Sequence, residues 1–329
     1  MFNFHTSLFG PLVLEVAEKY RYGFNMEPLS PDKTLMWSQW ADLNLPQGIT
    51  HAATDGLAPH ANDLESIEFF VPKYMGGPAA ISMISQMESL KVIQSPNAGV
   101  DDLLAILPKG VILCNAAGVH DASTAELAVA LSIASRRGFA DFARNQVAGK
   151  WVHERKASLT DSNIAIVGFG NIGKMIASML APFDVRVTSF SNSGRDGSLA
   201  MDKFDSLLPT FDVIILIVPL NAGTRHLMNA ARLGAMKDGA ALVNVARGPV
   251  VDTEALIKEL ESGRITAALD VTDPEPLPDG HPLWKTPNVI ITPHVGGDSQ
   301  AFIPRGRKLV EEQVARYAAG QPLLHIVAQ

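Results

Sequence analysis

The chain has 329 residues, 47% of them apolar and 19% charged, with a formal net charge of −7. That length is about twice that of one ordinary domain and can bury a large core without metal or disulfides. The acidic balance leaves no basic excess to displace counterions from phosphates, which excludes general nucleic-acid binding; an anionic substrate has to be met by local cations.

The N-terminal stretch MFNFHTSLFGPLVLEV has neither a basic n-region nor a small-residue cleavage site, so no signal peptide is expected. In the first third, TLMWSQ (34–39), SIEFFVP (66–72), KVIQSP (91–96) and GVILCN (110–115) read as short strands of a smaller α/β domain. The single cysteine, Cys114, lies in the apolar run VILC and reads as a small buried hydrophobe in a reducing compartment. Residues 123–148 carry the apolar spacing of one long helix, with Ser123 and Glu126 in capping-box register, expected to lead the chain from one domain to the next.

From residue 163 onward, β-branched runs alternate with helical stretches, the pattern of a parallel sheet with crossover helices. Six strands are expected: NIAIVG (163–168), VRVTSF (185–190), DVIILIV (212–218), AALVNV (240–245), TAALDV (266–271) and NVIIT (288–292). Helices fall at 174–180 and 253–262, the latter opened by Asp252 and closed by Gly263. The most apolar run, VIILIVPL (213–220), is far too short to span a bilayer and suits a buried strand, so no membrane segment is expected. The tail, 300–319, is helical despite Pro304 and is expected to return to the first domain. The resulting fold class is α/β with two domains, a Rossmann doubly wound parallel sheet at 118–298 and a smaller flavodoxin-like domain, substrate-binding, from 1–117 and 299–329.

Gly168-Phe169-Gly170-Asn171-Ile172-Gly173 fits G-x-G-x-x-G. An apolar strand runs into the first glycine and a helix leaves from the third, so backbone N–H groups and the helix dipole can meet a pyrophosphate. A site selective for NAD would present Asp or Glu to the adenosine ribose at the end of the second strand. Ser191-Asn192-Ser193-Gly194-Arg195 stands there instead. Hydroxyls, an amide and a guanidinium can hold a 2′-phosphate, which favours NADP(H) over NAD(H); the competing reading of Arg195 is a solvated residue paired with Asp196.

Arg247, Glu275 and His294 each fall just beyond the C-terminal end of an expected strand, the edge where open parallel sheets bind ligands. Singly, each has an ordinary structural explanation. Together their chemistry is complementary for a 2-keto acid: Arg247 offers a bidentate fork for the carboxylate, His294 a proton for the developing alkoxide, and Glu275 a carboxylate to orient the imidazole.

The stretches NVARGPVVDTEAL, ALDVTDPEPLPDGHPLW and NVIITPHVGG, with GFGNIG upstream, resemble the D-isomer-specific 2-hydroxyacid dehydrogenase family over about residues 90–300. The resemblance implies an NAD(P)-dependent oxidoreductase interconverting a small 2-keto acid and its D-2-hydroxy acid, with Arg247, Glu275 and His294 in the family's Arg, Glu and His roles. It places the substrate carboxylate on backbone N–H groups of residues 97–100, Ala98 and Gly99 among them. Asp270 matches the position that holds the nicotinamide carboxamide, and Val218, Pro219, Leu220 and Thr224 match a loop over the cofactor. Val245 and Ala246, and Thr124 at the start of the long helix, also fall where the family approaches the dinucleotide. Ser191 departs from the NAD-using pattern and is similar to the NADP-preferring glyoxylate and hydroxypyruvate reductases. The family further implies a cytoplasmic homodimer joined through helices of the cofactor domain.

Two relatives of this fold compete. Formate dehydrogenases carry a glutamine in place of the catalytic glutamate, against Glu275; dinucleotide-binding transcriptional corepressors keep a similar triad but usually carry an appended regulatory tail. Tyr74, Met75 and His120, at loop ends, are candidates for the substrate side-chain pocket, although such residues more often pack than bind.

Overall fold

A computed structural model describes residues 34–52, 54, 56 and 58–329; the stretch read above for a signal peptide lies outside them. The chain divides into two compact units. The described residues up to Ser95, with Asp102–Cys114 and Val310–Gln329, form the first, and Pro96–Asp101 with Asn115–Leu309 form the second.

The first unit is built on strands β1 (Thr34–Trp37), β2 (Ile49–His51), β3 (Ile67–Phe70), β4 (Val92–Gln94) and β5 (Ile112–Cys114), closed by β13 (Ile326–Ala328). Among the described residues they form one sheet in the order β13-β5-β4-β3-β1-β2. All neighbours are parallel except β13, which runs antiparallel to β5. The 2-1-3-4-5 core of that order is the flavodoxin-like winding expected above. Met36, Phe69, Val71, Val92 and Cys114 pack with Val310, Val314 and Tyr317 of the C-terminal helix, so the tail does return to this sheet. Pro304 sits in that helix's first turn, where its missing N–H has no intrahelical partner to lose. Burial pushes the Cys114 thiol up to about 12, which leaves it inert at neutral pH.

The second unit holds β6 (Asn163–Val167), β7 (Arg186–Ser191), β8 (Leu199–Ala200), β9 (Val213–Leu216), β10 (Ala241–Asn244), β11 (Thr266–Leu269) and β12 (Val289–Ile291). Their order, β12-β11-β10-β9-β6-β7-β8, is parallel throughout. This is the Rossmann order, with the winding reversing between β6 and β9. The six expected strands are present, but the third strand of the winding is the two-residue β8, too short to show a period in the sequence.

Strand alternation feeds two cores. On β9, Val213 and Ile215 face one cluster with Ala125, Ala128 and Ile176, whereas Ile214 and Leu216 face another with Leu233, Leu256 and Leu260. Both faces are covered by helices, so the strands read as continuous apolar runs. Each fully buried valine, leucine or isoleucine among them stabilises the fold by about 1.5–3 kcal/mol.

Among the described residues there are nine α-helices, not all of them legible in the sequence. The labels used below are α1 (Gly77–Ile81), α2 (Asp101–Ile106), α3 (Asp121–Arg137), α4 (Phe139–Val147), α5 (Asn171–Leu180), α6 (Phe204–Leu207), α7 (Ala230–Ala235), α8 (Thr253–Glu261) and α9 (Phe302–Ala318). The single helix expected at 123–148 is two, α3 and α4. Gly138 separates them at φ +66°, a left-handed residue that closes one helix and opens the next. The capping box is also absent: α3 starts at Asp121, and the Ser123 hydroxyl meets the Ser299 hydroxyl at 2.7 Å instead. α8 starts as expected, with Asp252 accepting from the Ala255 N–H at 3.0 Å as an N-cap.

Candidate active site

The glycine-rich turn joins β6 to α5 at the winding reversal. Gly168 has φ +110°, and a Cβ there would fall 2.3 Å from the Ile217 carbonyl oxygen. A Cβ on Gly173 would fall 2.1 Å from the Gly168 carbonyl oxygen, so the helix lies against the strand only because that position is glycine. Gly170, the N-cap of α5, has no side-chain cap, and a Cβ on it would meet no atom within 4 Å. The first turn of α5, from Asn171 and Ile172, thus presents its N–H groups beside open space, with Phe169 half-buried in the turn. These residues fit a dinucleotide pyrophosphate.

At the end of β7 the Ser191 hydroxyl accepts from the Gly194 N–H at 3.0 Å and from the Ser198 hydroxyl at 2.7 Å, folding residues 191–198 into a compact turn. Asn192, Ser193 and Arg195 are exposed on it. Asp196 pairs with Lys174 at 2.8 Å, so the pairing of Arg195 with Asp196 weighed above does not form as a salt bridge. The Lys174 ammonium holds the Asp196 carboxyl below its ordinary range.

After β9, Val218, Pro219 and Leu220 enter a turn that Thr224 closes on itself: its hydroxyl donates to the Pro219 carbonyl at 2.6 Å and accepts from the Asn221 N–H at 2.8 Å. Val245 and Ala246, both buried, follow β10 and lead into Arg247. Asn244, 1% exposed, accepts from the Ala246 N–H at 3.1 Å and donates to the Arg247 carbonyl at 3.0 Å. It therefore sets the backbone from which Arg247 departs. Sequence reasoning passed over it; the signal was an amide ending an otherwise apolar strand.

The Arg247 guanidinium lies against the loop that carries Ala98 and Gly99. A Cβ on Gly99 would fall 1.5 Å from Arg247 Nη2, and Asp101 lies 3.5 Å from Nε. Asn115 donates to the Ala98 carbonyl at 2.8 Å and the Ala116 N–H to the Asn97 carbonyl at 2.9 Å, which pins the loop.

His294 has φ +53°, a left-handed residue at the turn beyond β12. Its own N–H donates to the Asp270 carbonyl at 2.8 Å. The buried Asp270 carboxylate accepts from Thr292 Oγ1 at 2.6 Å and from the Val295 and Gly296 N–H groups at 2.9 and 2.8 Å. This carboxylate fixes a conformation that a non-glycine residue adopts only at a cost of about 1 kcal/mol. Thr124 lies by the same turn, its Cγ2 3.4 Å from where a Cβ on Gly296 would be. His294 Nδ1 donates to Glu275 Oε1 at 2.5 Å. Burial disfavours ionised Glu275, yet the His294 hydrogen bond and charge, the Thr272 backbone and the Arg247 charge together outweigh it and hold the carboxyl below its usual range.

The three residues and the glycine turn thus share the C-terminal strand edge. A cavity of about 210 Å³ lined by Arg136, Arg144, Arg155 and Lys156 lies instead among residues at the starts of β11 and β12, away from this chemistry. Tyr74 and Met75 belong to the first unit, Met75 at φ +52°. His120 is 5% exposed, with both ring nitrogens against carbonyl oxygens, so it lines no open pocket. Among the described residues no group of three metal-ligating side chains occurs, and no helix is long and apolar enough to cross a membrane.

A cradle at the winding reversal, facing the same edge as an arginine, a glutamate and a histidine, is the arrangement of a nicotinamide-dinucleotide oxidoreductase. Residues 129–296 match the family described as D-isomer specific 2-hydroxyacid dehydrogenase, NAD binding domain. The hydroxypyruvate reductase of Thermotoga maritima is 35% identical over 242 residues, 70% of this chain and 78% of that one. The glyoxylate reductase of Thermofilum pendens is 36% identical over 222 residues, 63% of this chain and 66% of that one. A D-isomer specific 2-hydroxyacid dehydrogenase from Xanthobacter autotrophicus, solved in complex with NADPH and MES, is similar at 27% identity and a TM-score of 0.72, covering 90% of this chain and 98% of that one. The chain belongs to the D-isomer-specific 2-hydroxyacid dehydrogenase family. It is an enzyme that moves a hydride between a nicotinamide dinucleotide and a 2-keto or 2-hydroxy acid.

Proposed function

We propose that the protein reduces a small 2-keto acid of the glyoxylate or hydroxypyruvate kind, with NADP(H) preferred over NAD(H). The observation that carries the chemistry is the 2.5 Å contact between His294 and Glu275 beside Arg247. Arg247 and the backbone N–H groups around Ala98 and Gly99 hold the substrate carboxylate, and the guanidinium also polarises the neighbouring carbonyl. His294, its Nδ1 engaged by Glu275, uses Nε2 to protonate the carbonyl oxygen as it becomes an alkoxide; in the reverse direction it takes the hydroxyl proton. Glu275 orients the ring. The bound dinucleotide supplies the hydride in one direction and accepts it in the other. Phe169, Gly170, Asn171 and Ile172 hold its pyrophosphate, and Asp270 and Thr124 stand where its nicotinamide end would lie.

Preference for NADP(H) rests on the missing acidic residue at Ser191 and on the exposed Arg195, while Lys174 makes the salt bridge to Asp196. The NADPH complex of the Xanthobacter relative agrees with it. The first unit would act as the substrate-binding domain and the second as the dinucleotide-binding domain. A homodimer goes with this reading, through the exposed Trp151 and Val147 that follow α4 and end it. So does a cytoplasmic setting, in which the lone thiol of Cys114 stays reduced.

The test is initial rates for glyoxylate, hydroxypyruvate and pyruvate against both reduced cofactors. Turnover of the first two, faster with NADPH, is expected. No substrate-dependent oxidation of either cofactor would overturn the reading.

A further inference from the structure

Two segments of the second unit meet at one side chain. His120, the N-cap of α3, is 5% exposed and stacks on Phe302 with ring centroids 5.2 Å apart and planes at 16°. Its Nε2 lies 2.8 Å from the Pro96 carbonyl oxygen, at the start of the loop that carries Ala98 and Gly99. Its Nδ1 lies 3.2 Å from the Gly297 carbonyl oxygen, at the end of the turn that carries His294. Both partners are carbonyl oxygens, one on each segment.

The neighbourhood is shaped around this ring. A Cβ on Gly297 would fall 2.8 Å from His120 Nδ1, so glycine is what lets the turn come this close. Asp270 anchors the same turn from its other side, through Val295 and Gly296. Asn115 and Ala116 anchor the loop at Ala98 and Asn97. Each segment therefore has its own fastening, and the His120 ring touches both.

We propose that His120 is a positioning residue: its ring ties the loop at residues 96–100 to the turn at 294–297 and so sets the spacing between the carboxylate site and the acid–base histidine. This rests on the functional reading above. Binding energy for a keto acid is realised in the reaction only when both ends of the molecule are held at once, and a loosened spacing separates them.

Two conservative substitutions cut one tie each. In His120→Asn the amide nitrogen can stand in for Nδ1 and keep the Gly297 tie, while the Pro96 tie is lost. In His120→Gln it can stand in for Nε2 and keep Pro96, while Gly297 is lost. The expected split is a rise in KM of about tenfold with kcat nearly unchanged for His120→Asn, and a fall in kcat of about tenfold with KM nearly unchanged for His120→Gln. Gly297→Ala, which forces the ring and the turn apart, is expected to behave like His120→Gln. Amide hydrogen exchange should quicken in residues 97–100 in the Asn variant and in residues 295–298 in the Gln variant. Equal effects of the two on KM and kcat, or exchange unchanged in both segments, would overturn the proposal. Dinucleotide affinity measured by fluorescence establishes that each variant is folded. If the unsubstituted protein turns over no keto acid, the functional reading falls while the exchange measurement still decides whether His120 ties the two segments.

Discussion

His294 Nδ1 lies 2.5 Å from Glu275 Oε1, and the carboxyl is held below its usual range although burial works against its ionisation. The pair therefore enters the reaction with Glu275 charged. Nδ1 is engaged, and the proton that moves belongs to Nε2.

Replacing Glu275 by Gln keeps the shape and removes the charge, and kcat is expected to fall by about 10–100-fold. His294→Ala should lower kcat by about 10²–10⁴-fold with dinucleotide affinity nearly intact. The pH dependence has a definite sign. Because the Glu275 pKa is depressed in the folded chain, the ion pair is intact throughout the range where an ordinary carboxyl titrates and is lost only as pH falls through the lowered value. The acid limb of kcat/KM assigned to Glu275 should thus lie below the usual carboxylate range and be missing from Glu275→Gln. An acid limb that persists unchanged in that variant would remove the assignment.

Gly99 and Arg247 supply a second prediction. The guanidinium occupies the space a Cβ on Gly99 would take, 1.5 Å from Nη2. Gly99→Ala should push the fork aside and raise KM for the keto acid about tenfold while leaving the dinucleotide Kd alone. Arg247→Lys keeps the charge, loses the bidentate geometry and should raise KM at least as much. Steady-state kinetics with saturating cofactor checks both, and an unchanged KM in Gly99→Ala would show that the loop and the guanidinium are not part of one carboxylate site.

What was legible beforehand follows from the length of each signal. β6, β9 and β10 are apolar runs buried on both faces, and among the described residues no other strand has four buried residues in a row. β8 has two residues and β13 is paired through a bulged register, so neither shows a period. Gly138 stood inside an unbroken apolar spacing, and only its left-handed backbone reveals the break between α3 and α4. At the site, Arg247, Glu275 and His294 could be placed from strand ends alone, since topology carries every such end to one edge. Asn244 and His120 could not. Asn244 acts through the Arg247 carbonyl three residues on and His120 through a carbonyl 24 residues away, and a hydrogen bond to a backbone carbonyl depends on the turn or fold that presents it and leaves no period in the sequence.

Arg195 tests the cofactor preference. It is exposed on the turn after β7, and Lys174 rather than Arg195 pairs with Asp196. Arg195→Ala should weaken NADPH about tenfold and NADH by less than twofold, as expected for loss of one charge-assisted contact to a 2′-phosphate. Dissociation constants from quenching of protein fluorescence decide it. Equal weakening of both cofactors would assign Arg195 to the fold of the turn and remove it from phosphate recognition.

Trp151 is 98% exposed and Val147 91% exposed, with Phe139 at 53% on the same stretch of chain. An indole left in water forgoes about 25 cal/mol for every Å² of apolar surface that a partner could cover, and three large exposed apolar side chains within thirteen residues offer such surface. A second copy that covers this patch buries it by symmetry on both chains, because a two-fold interface uses the same surface twice. Trp151→Glu places a charge on this stretch and touches none of the residues at the strand edge. Its solution mass by light scattering is expected to fall from two chains to one at micromolar concentration, while thermal unfolding stays cooperative. A mass of one chain for the unsubstituted protein, or of two chains for the variant, would show that this patch does not hold a dimer together.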